Sequence, residues 1–464
     1  MRSNSPIARI LILIIVLSMV APTLFAQTPK PAEPLRPQDK LSVRLKAKLP
    51  DYKGPSRFRG RKALIIYSPD GRLVAMSGTK RTITVWDTET GELKATLEAG
   101  KDGVSGFAFS PDGSVAATRN FLDKSVRLWD PRTWEVKASL PGRKRDLETK
   151  LKSGFSFEEE FGPVPFSPDG RTVLSEKEDD VVAMSLVADG KEQAAFNHDT
   201  RDSATKDILK AMFFGGTRHF LALQTGFSAD GSYVFTINGD KQARIWEAAS
   251  GKLKHQITNS ERIYRAAFTP DNASLLTVEQ QGGMKLWDVE TGQMKGEIAP
   301  KGFLEDIMKS FEMSADGKNI ATFTLGDTRI WDAKTAQLRF KLPKSETTDA
   351  MFSPDGRWLV TASHDKQTSA KIWNVETGEL KFSLAPTGHK TASVVYSPDG
   401  RLIATTNDKG INLWDAETGE LLSTLGDARY PVAFSQDGRT MVTGARNDTA
   451  LLWEVKVYPS SPPA

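Results

Sequence analysis

The 464-residue chain has no cysteine and only five histidines. The first absence excludes disulfides, thiolate metal sites, a cysteine nucleophile and a lipidated cysteine anchor. The histidines are His198, His219, His255, His364 and His389, and no two have the i, i+4 spacing that puts metal ligands on one helix face. An excess of one charge is also missing: the net charge is +4 and includes Arg2 and Arg9 at the extreme N-terminus. Nothing in that balance marks a nucleic-acid or anionic-membrane ligand. There is no Gly-x-Ser-x-Gly elbow, no phosphate-cradling glycine loop and no twelve-residue calcium loop. The N-terminal apolar run, residues 10–20, is too short to span a bilayer, which takes ~20 residues. With Arg2 and Arg9 before it and Pro22 and Ala26 after it, it reads as a secretory signal peptide cut after Ala26, although Leu24 is large for the −3 position. A Pro-rich tether over 27–40 (Pro29, Pro31, Pro34, Pro37) follows, and residues 459–464 form a Ser/Pro tail.

What is present in abundance is one repeated unit, seen most plainly over residues 393–425. SVVY runs into a turn at Ser397-Pro398-Asp399-Gly400, in which Ser suits position i, Pro presets φ at i+1 and Gly relieves the end. RLIATT, INLWDA and LLSTL are three further short runs, separated by Asn407-Asp408-Lys409-Gly410 and Glu417-Thr418-Gly419-Glu420. Four short strands are expected. One such meander buries too little apolar surface to offset its ordering entropy, so it needs a sheet against each face. The Ser/Thr-Pro-Asp-Gly-like turn recurs at Ser68, Ser110, Ser167, Ser228, Thr269, Ser314, Ser353, Ser397 and Ser435. A tryptophan follows in every unit but the third, at Trp86, Trp129, Trp246, Trp287, Trp331, Trp373, Trp414 and Trp453; Met184-Ser185 stands in its place there.

These marks resemble the WD-repeat family over residues 41–458, with Trp-Asp at Trp86-Asp87, Trp129-Asp130, Trp287-Asp288, Trp331-Asp332 and Trp414-Asp415. The resemblance implies an all-β fold, a single closed β-propeller of four-stranded antiparallel blades with repeats of ~40–45 residues. Nine turn marks and two irregular stretches give about eight or nine blades. Residues 41–49 look like an orphan fourth strand, which in the family completes the last blade and closes the ring. The family also implies a buried Asp, His, Ser/Thr and Trp network within each blade. Only unit eight carries the whole set, as His389, Thr405 or Thr406, Asp408 and Trp414; Asp123, Asp240, Asp365 and Asp448 keep the Asp without the His.

Irregular segments interrupt the repeat at 50–62, 141–162, 198–224 and 299–309. The second combines Arg143, Lys144 and Arg145 with Phe155, Phe157 and Phe161, the fourth includes residues 302–308 as a helical-turn candidate, and 198–224 reads as a displaced strand pair or a decayed repeat. If the blades follow the family, these segments enter the face opposite the two uniform turns. Their aromatics and arginines, Arg57, Phe58, Arg59, Arg143, Arg145, Phe155, Phe157 and Phe303, are the partner-binding candidates. A bland reading has them packed on the ring as lids. The expectation is an exported, monomeric, non-enzymatic scaffold for a protein or peptide partner, with no cofactor, metal or nucleic acid. The alternatives are a propeller enzyme resembling quinone-dependent dehydrogenases, or a propeller for a small ligand. Against the enzyme, the tryptophan here precedes the Thr-Gly (Trp414, then Thr418-Gly419), and the vicinal cysteine pair common in that family is impossible.

Overall fold

The computed structural model describes residues 40–49, 65–78, 82–98, 103–121, 123–142, 164–177, 181–197, 224–237, 241–259, 261–279, 283–299, 308–324, 328–343, 347–363, 370–385, 389, 391–445 and 449–458. The unit over 393–425 is the four-stranded antiparallel sheet expected, Ser393–Tyr396, Leu402–Thr406, Ile411–Asp415 and Leu421–Leu425, each strand paired with the next in sequence. Nine such sheets follow one another along the chain, so the molecule has nine blades. Eight have four strands. Blade three pairs Thr172–Glu176, Val181–Leu186 and Glu192–Asn197, with an isolated bridge from Phe166 to Val173 where the others have a first strand.

The two turns of the unit explain why the sequence repeats them so faithfully. Ser397 Oγ donates to Asp399 Oδ1 (2.6 Å) and accepts from the Leu402 N–H (2.9 Å), while Asp399 Oδ1 accepts from the Arg401 N–H (3.1 Å). Gly400 closes the turn at φ 74°, a conformation that a side chain resists. The same Ser/Thr–Asp bond recurs in all nine blades. The Asp of Trp-Asp stabilises the second turn: Asp415 Oδ1 accepts from the N–H groups of Glu417 (2.8 Å) and Thr418 (2.7 Å). These residues are turn formers, as their chemistry requires.

Packing follows the repeat. Nine apolar clusters are present, each joining two successive blades. The ninth junction runs from blade nine to blade one, where Leu49, Val442, Ala450 and Leu452 meet Val74, Met76 and Trp86. The ring is therefore closed. First strands of neighbouring blades approach one another, whereas fourth strands such as Leu93–Leu97 are largely exposed. First strands thus surround the axis and fourth strands form the rim. Closure uses the orphan strand: Lys40–Leu49 pairs antiparallel with Ala450–Tyr458, beginning one residue earlier than the sequence reading placed it. In blade three the register corrects the placement of Met184-Ser185 by one residue: Ser185, paired with Val173 as Trp246 is with Val234, stands at the tryptophan position. Met184 packs in the junction with blade four together with Phe196, whose ring lies 5.8 Å from that of Trp246.

Candidate functional site

The topology sorts the connections onto two faces. Ser-Pro-Asp-Gly turns and the turns after Trp-Asp lie on one; connections between second and third strands, and from one blade to the next, lie on the other. The turn face is uniform, and neighbouring turns touch around it. A Cβ built on Gly113 would lie 3.6 Å from Pro69 of the previous blade, and one on Gly231 would lie 3.3 Å from Pro168. In blade five Asn272 replaces the glycine at φ 60° and accepts from the Ala229 N–H of blade four (2.6 Å).

The partner-binding candidates Arg57, Phe58, Arg59, Arg143, Arg145, Phe155, Phe157 and Phe303 lie outside the described residues, as do residues 198–223. Three boundaries are corrected: Gln224–Phe227 is the first strand of blade four, Ala299 ends the outer strand Met294–Ala299 of blade five, and Met308–Met313 is the first strand of blade six, so Met308 and Lys309 are strand residues. Phe311 and Met313, spaced two apart around Glu312, were the strand-period signal available for the last.

The structural network is present in part. Trp414 Nε1 donates to Thr405 Oγ1 (2.9 Å), which settles the choice between Thr405 and Thr406. Six other blades have the same indole–threonine bond. His389 Nδ1 lies 3.0 Å from Asp408 Oδ1, but both side chains are substantially exposed, so this pair is peripheral to the indole and not the buried element expected. Asp123 accepts from the N–H and Oγ of Ser125 in its own turn. Sequence reasoning missed Asn259, whose Nδ2 donates to Thr277 Oγ1 (3.0 Å), the acceptor of the Trp287 indole. Asn259 is thus a second donor on that threonine, and no motif announces it.

Around the axis, first strands would leave edge N–H groups open, and side chains of the preceding blade satisfy several. Gln224 Oε1 accepts from the Ala266 N–H (2.9 Å), and Asp349 Oδ2 accepts from Ser393 Oγ (2.6 Å) and the Val394 N–H (3.2 Å). Burial, reinforced by the negative charge of Asp349, pushes the Tyr430 phenol well above its ordinary range. It remains a neutral phenol, unsuited to act as a base. Lys285 and Glu279 form a buried ion pair at 2.9 Å, partners to each other. Among the described residues, no group of three His, Asp or Glu side chains is placed to hold a metal.

A ring of short antiparallel blades whose cores alternate between neighbours defines a β-propeller. The family model "WD domain, G-beta repeat" matches residues 91–130, 339–374 and 378–415, and the chain belongs to the WD-repeat propellers. It is similar to a WD repeat-containing protein of Synechocystis sp., 29% identical over 30% of this chain and 42% of that one. It also resembles the transcriptional corepressor LEUNIG_HOMOLOG of Arabidopsis thaliana, 30% identical over 28% of this chain and 18% of that one. A third relative is the guanine nucleotide-binding protein subunit beta of Zea mays, 28% identical over 28% of this chain and 38% of that one. The chain therefore spans less than half the length of each.

Proposed function

We propose that the protein is an exported, non-enzymatic scaffold that binds a protein or peptide partner through the face opposite the uniform turns. The observation that carries this reading is the contrast between the faces. Nine near-identical hydrogen-bonded turns make a surface that repeats from blade to blade and can hardly specify a partner. Sequence variation is concentrated in the blade-to-blade connections over 50–62, 141–162, 198–223 and 300–307, which bring the aromatics and arginines that interfaces favour. Two relatives bear the names of a corepressor and of a G-protein subunit, and neither name is that of an enzyme. Export rests on the leader alone, with Arg2, Arg9 and the apolar run before Ala26.

The test is crosslinking of the mature protein in envelope extract, with identification of the crosslinked chain. Phe155→Ser with Phe157→Ser should abolish that crosslink at an unchanged melting temperature. Survival of the crosslink in that variant, with loss on altering Glu89, Glu376 or Glu417 of the turns, would place the partner on the other face. Mass spectrometry of the mature chain should find an N-terminus near Gln27, and an intact Met1 in a cytosolic fraction would remove export from the reading.

A further inference from the structure

Blade nine departs from the other eight at its rim. Elsewhere the third strand ends at the tryptophan position or one residue past it and turns back into an outer strand of four to six residues. Here the third strand, Ala450–Tyr458, continues past Trp453, and the ten-residue strand Lys40–Leu49 lies along all of it, from Lys40 opposite Tyr458 to Leu49 opposite Ala450. The extension is a two-stranded ribbon held down by one face. Leu41, Val43, Val455 and Val457 share a cluster with Leu422 on the outer strand of blade eight. Leu422 occupies the position that holds Lys94, Lys137, Lys254, Lys295, Arg339 and Lys381 in other blades. The rim residue under the ribbon is thus the apolar one.

Lys40–Leu49 is the last strand of its sheet, and no strand lies on its outer side among the described residues. A long, anchored strand with a free backbone edge is a template for strand addition. Charge decides what can add. Arg44 and Lys48 point to opposite faces of the sheet and both are exposed; Arg44 lies opposite Glu454, whose carboxyl is held below its ordinary range by Lys456 first and by the Arg44 charge as well. Lys46, between them, is held by Glu89 at 2.8 Å. Lys40–Leu49 carries four basic residues and no acidic one, so a second copy paired on it would bring like charges together across the edge, which destabilises a pair. The bulge between Leu45 and Ala47 brings the two charges opposite positions three apart on a regular partner, as Glu454 and Leu451 are on the inner side. A strand with carboxylates three residues apart therefore meets both, and an apolar residue next to the first meets Leu45, which is 45% exposed.

We propose that the outer edge of Lys40–Leu49 is a strand-addition site for an extended, acidic segment of a partner protein, separate from the face assigned above. The test uses the full mature chain and fluorescence anisotropy with ten-residue peptides of Glu, Thr and Val whose carboxylates lie three residues apart. The acidic peptide should bind and its Lys counterpart should not. Arg44→Gln with Lys48→Gln should weaken binding by about tenfold or more at an unchanged melting temperature, since neither side chain holds the fold. Methylating alternate backbone nitrogens of the peptide should abolish binding in one of the two possible patterns, because added strands pair through alternate N–H groups. Equal binding of both methylated forms and the parent would overturn the proposal in favour of general electrostatic attraction. Failure of the acidic peptide to bind, or a concentration-dependent dimer abolished by proline substitutions in Lys40–Leu49, would also overturn it.

Discussion

The tryptophan indole and the threonine hydroxyl two strands' width from solvent illustrate how a single buried polar pair is both necessary and replaceable only in kind. Trp414 is fully buried, and its N–H finds its acceptor in Thr405 Oγ1 at 2.9 Å. Thr405→Val should leave that donor unpaired and cost about 1–3 kcal/mol in denaturant unfolding, while Thr405→Ser should recover most of it. His389→Ala should change stability by no more than about 0.5 kcal/mol, because the His389–Asp408 pair is open to water. An equal loss for Thr405→Val and His389→Ala would show that the imidazole belongs to the buried network after all. The turn carboxylates make a second residue-scale statement. Burial alone would raise Asp332, but the Arg339 guanidinium and the N–H groups of Thr335 and Lys334 outweigh it and hold the carboxyl at about 2. Asp87, Asp112, Asp169, Asp230 and Asp288 are shifted down in the same way, burial opposing and hydrogen bonds prevailing. Each carboxylate therefore stabilises the fold above the unfolded value of about 3.9, and that contribution is lost as pH falls toward 2. The melting temperature should drop between pH 4 and pH 2, and the drop should be smaller in Asp332→Asn.

Blades are joined by a contact that recurs at one register position. The glycine of the turn after Trp-Asp packs on one outer-strand position of the previous blade, the third residue of strands such as Leu253–Thr258 and Leu338–Lys341 and Ala47 in the longer Lys40–Leu49. A Cβ on Gly91 would lie 2.5 Å from Ala47 Cβ, one on Gly292 2.8 Å from the His255 ring, and one on Gly378 2.6 Å from the Phe340 ring. Each of these glycines also has a positive φ, 75°, 70° and 73° respectively. At the junction of blades five and six the arrangement is reversed: Ala336 occupies the turn at φ 58°, and the facing outer-strand residue is Gly296. A Cβ on Gly296 would lie 2.8 Å from that of Ala336, so the pair carries one methyl group, on the turn side. Gly296→Ala alone should destabilise by about 1–3 kcal/mol through overpacking, and adding Ala336→Gly should recover most of the loss. Additive losses in that double-mutant cycle would show that the two positions do not share a space. The contrast also shows what the chain discloses. Ser-Pro-Asp-Gly and the Asp of Trp-Asp were legible because their turn hydrogen bonds close within five residues. The Gly296–Ala336 exchange, Asn259 and the ribbon over Leu422 were not, because each depends on which residue faces which between strands or blades that are distant in the chain. The aromatic and arginine candidates rest on sequence alone.

At the scale of the ring, nine blades require nine junctions, and eight of them join neighbours in sequence. The ninth joins the two ends of the chain and depends on Lys40–Leu49. Leu49 is 2% exposed and packs with Val442, Ala450 and Leu452 of blade nine and with Val74, Met76 and Trp86 of blade one. Lys46 adds a strut to Glu89 of blade one at 2.8 Å, like Lys254 to Glu290 and Lys381 to Glu417 between other blades. Such exposed pairs contribute little individually, so the junction rests on Leu49 and on the strand pairing itself. In a repeat array stability is close to a sum of units and nearest-neighbour interfaces, and a ring that loses one junction retains the rest as an open arc. The open arc would expose the third strand of blade nine as a sheet edge, with apolar residues on both its faces. Deleting residues 27–50 should therefore lower the melting temperature and promote aggregation, whereas deleting 27–38, which stops short of the strand, should do neither. Leu49→Ala should fall between the two, costing about 2–4 kcal/mol by the loss of a buried side chain at the junction while the backbone pairing survives. Equal melting temperatures for the two deletions would mean that the N-terminal strand decorates a ring already closed by other contacts.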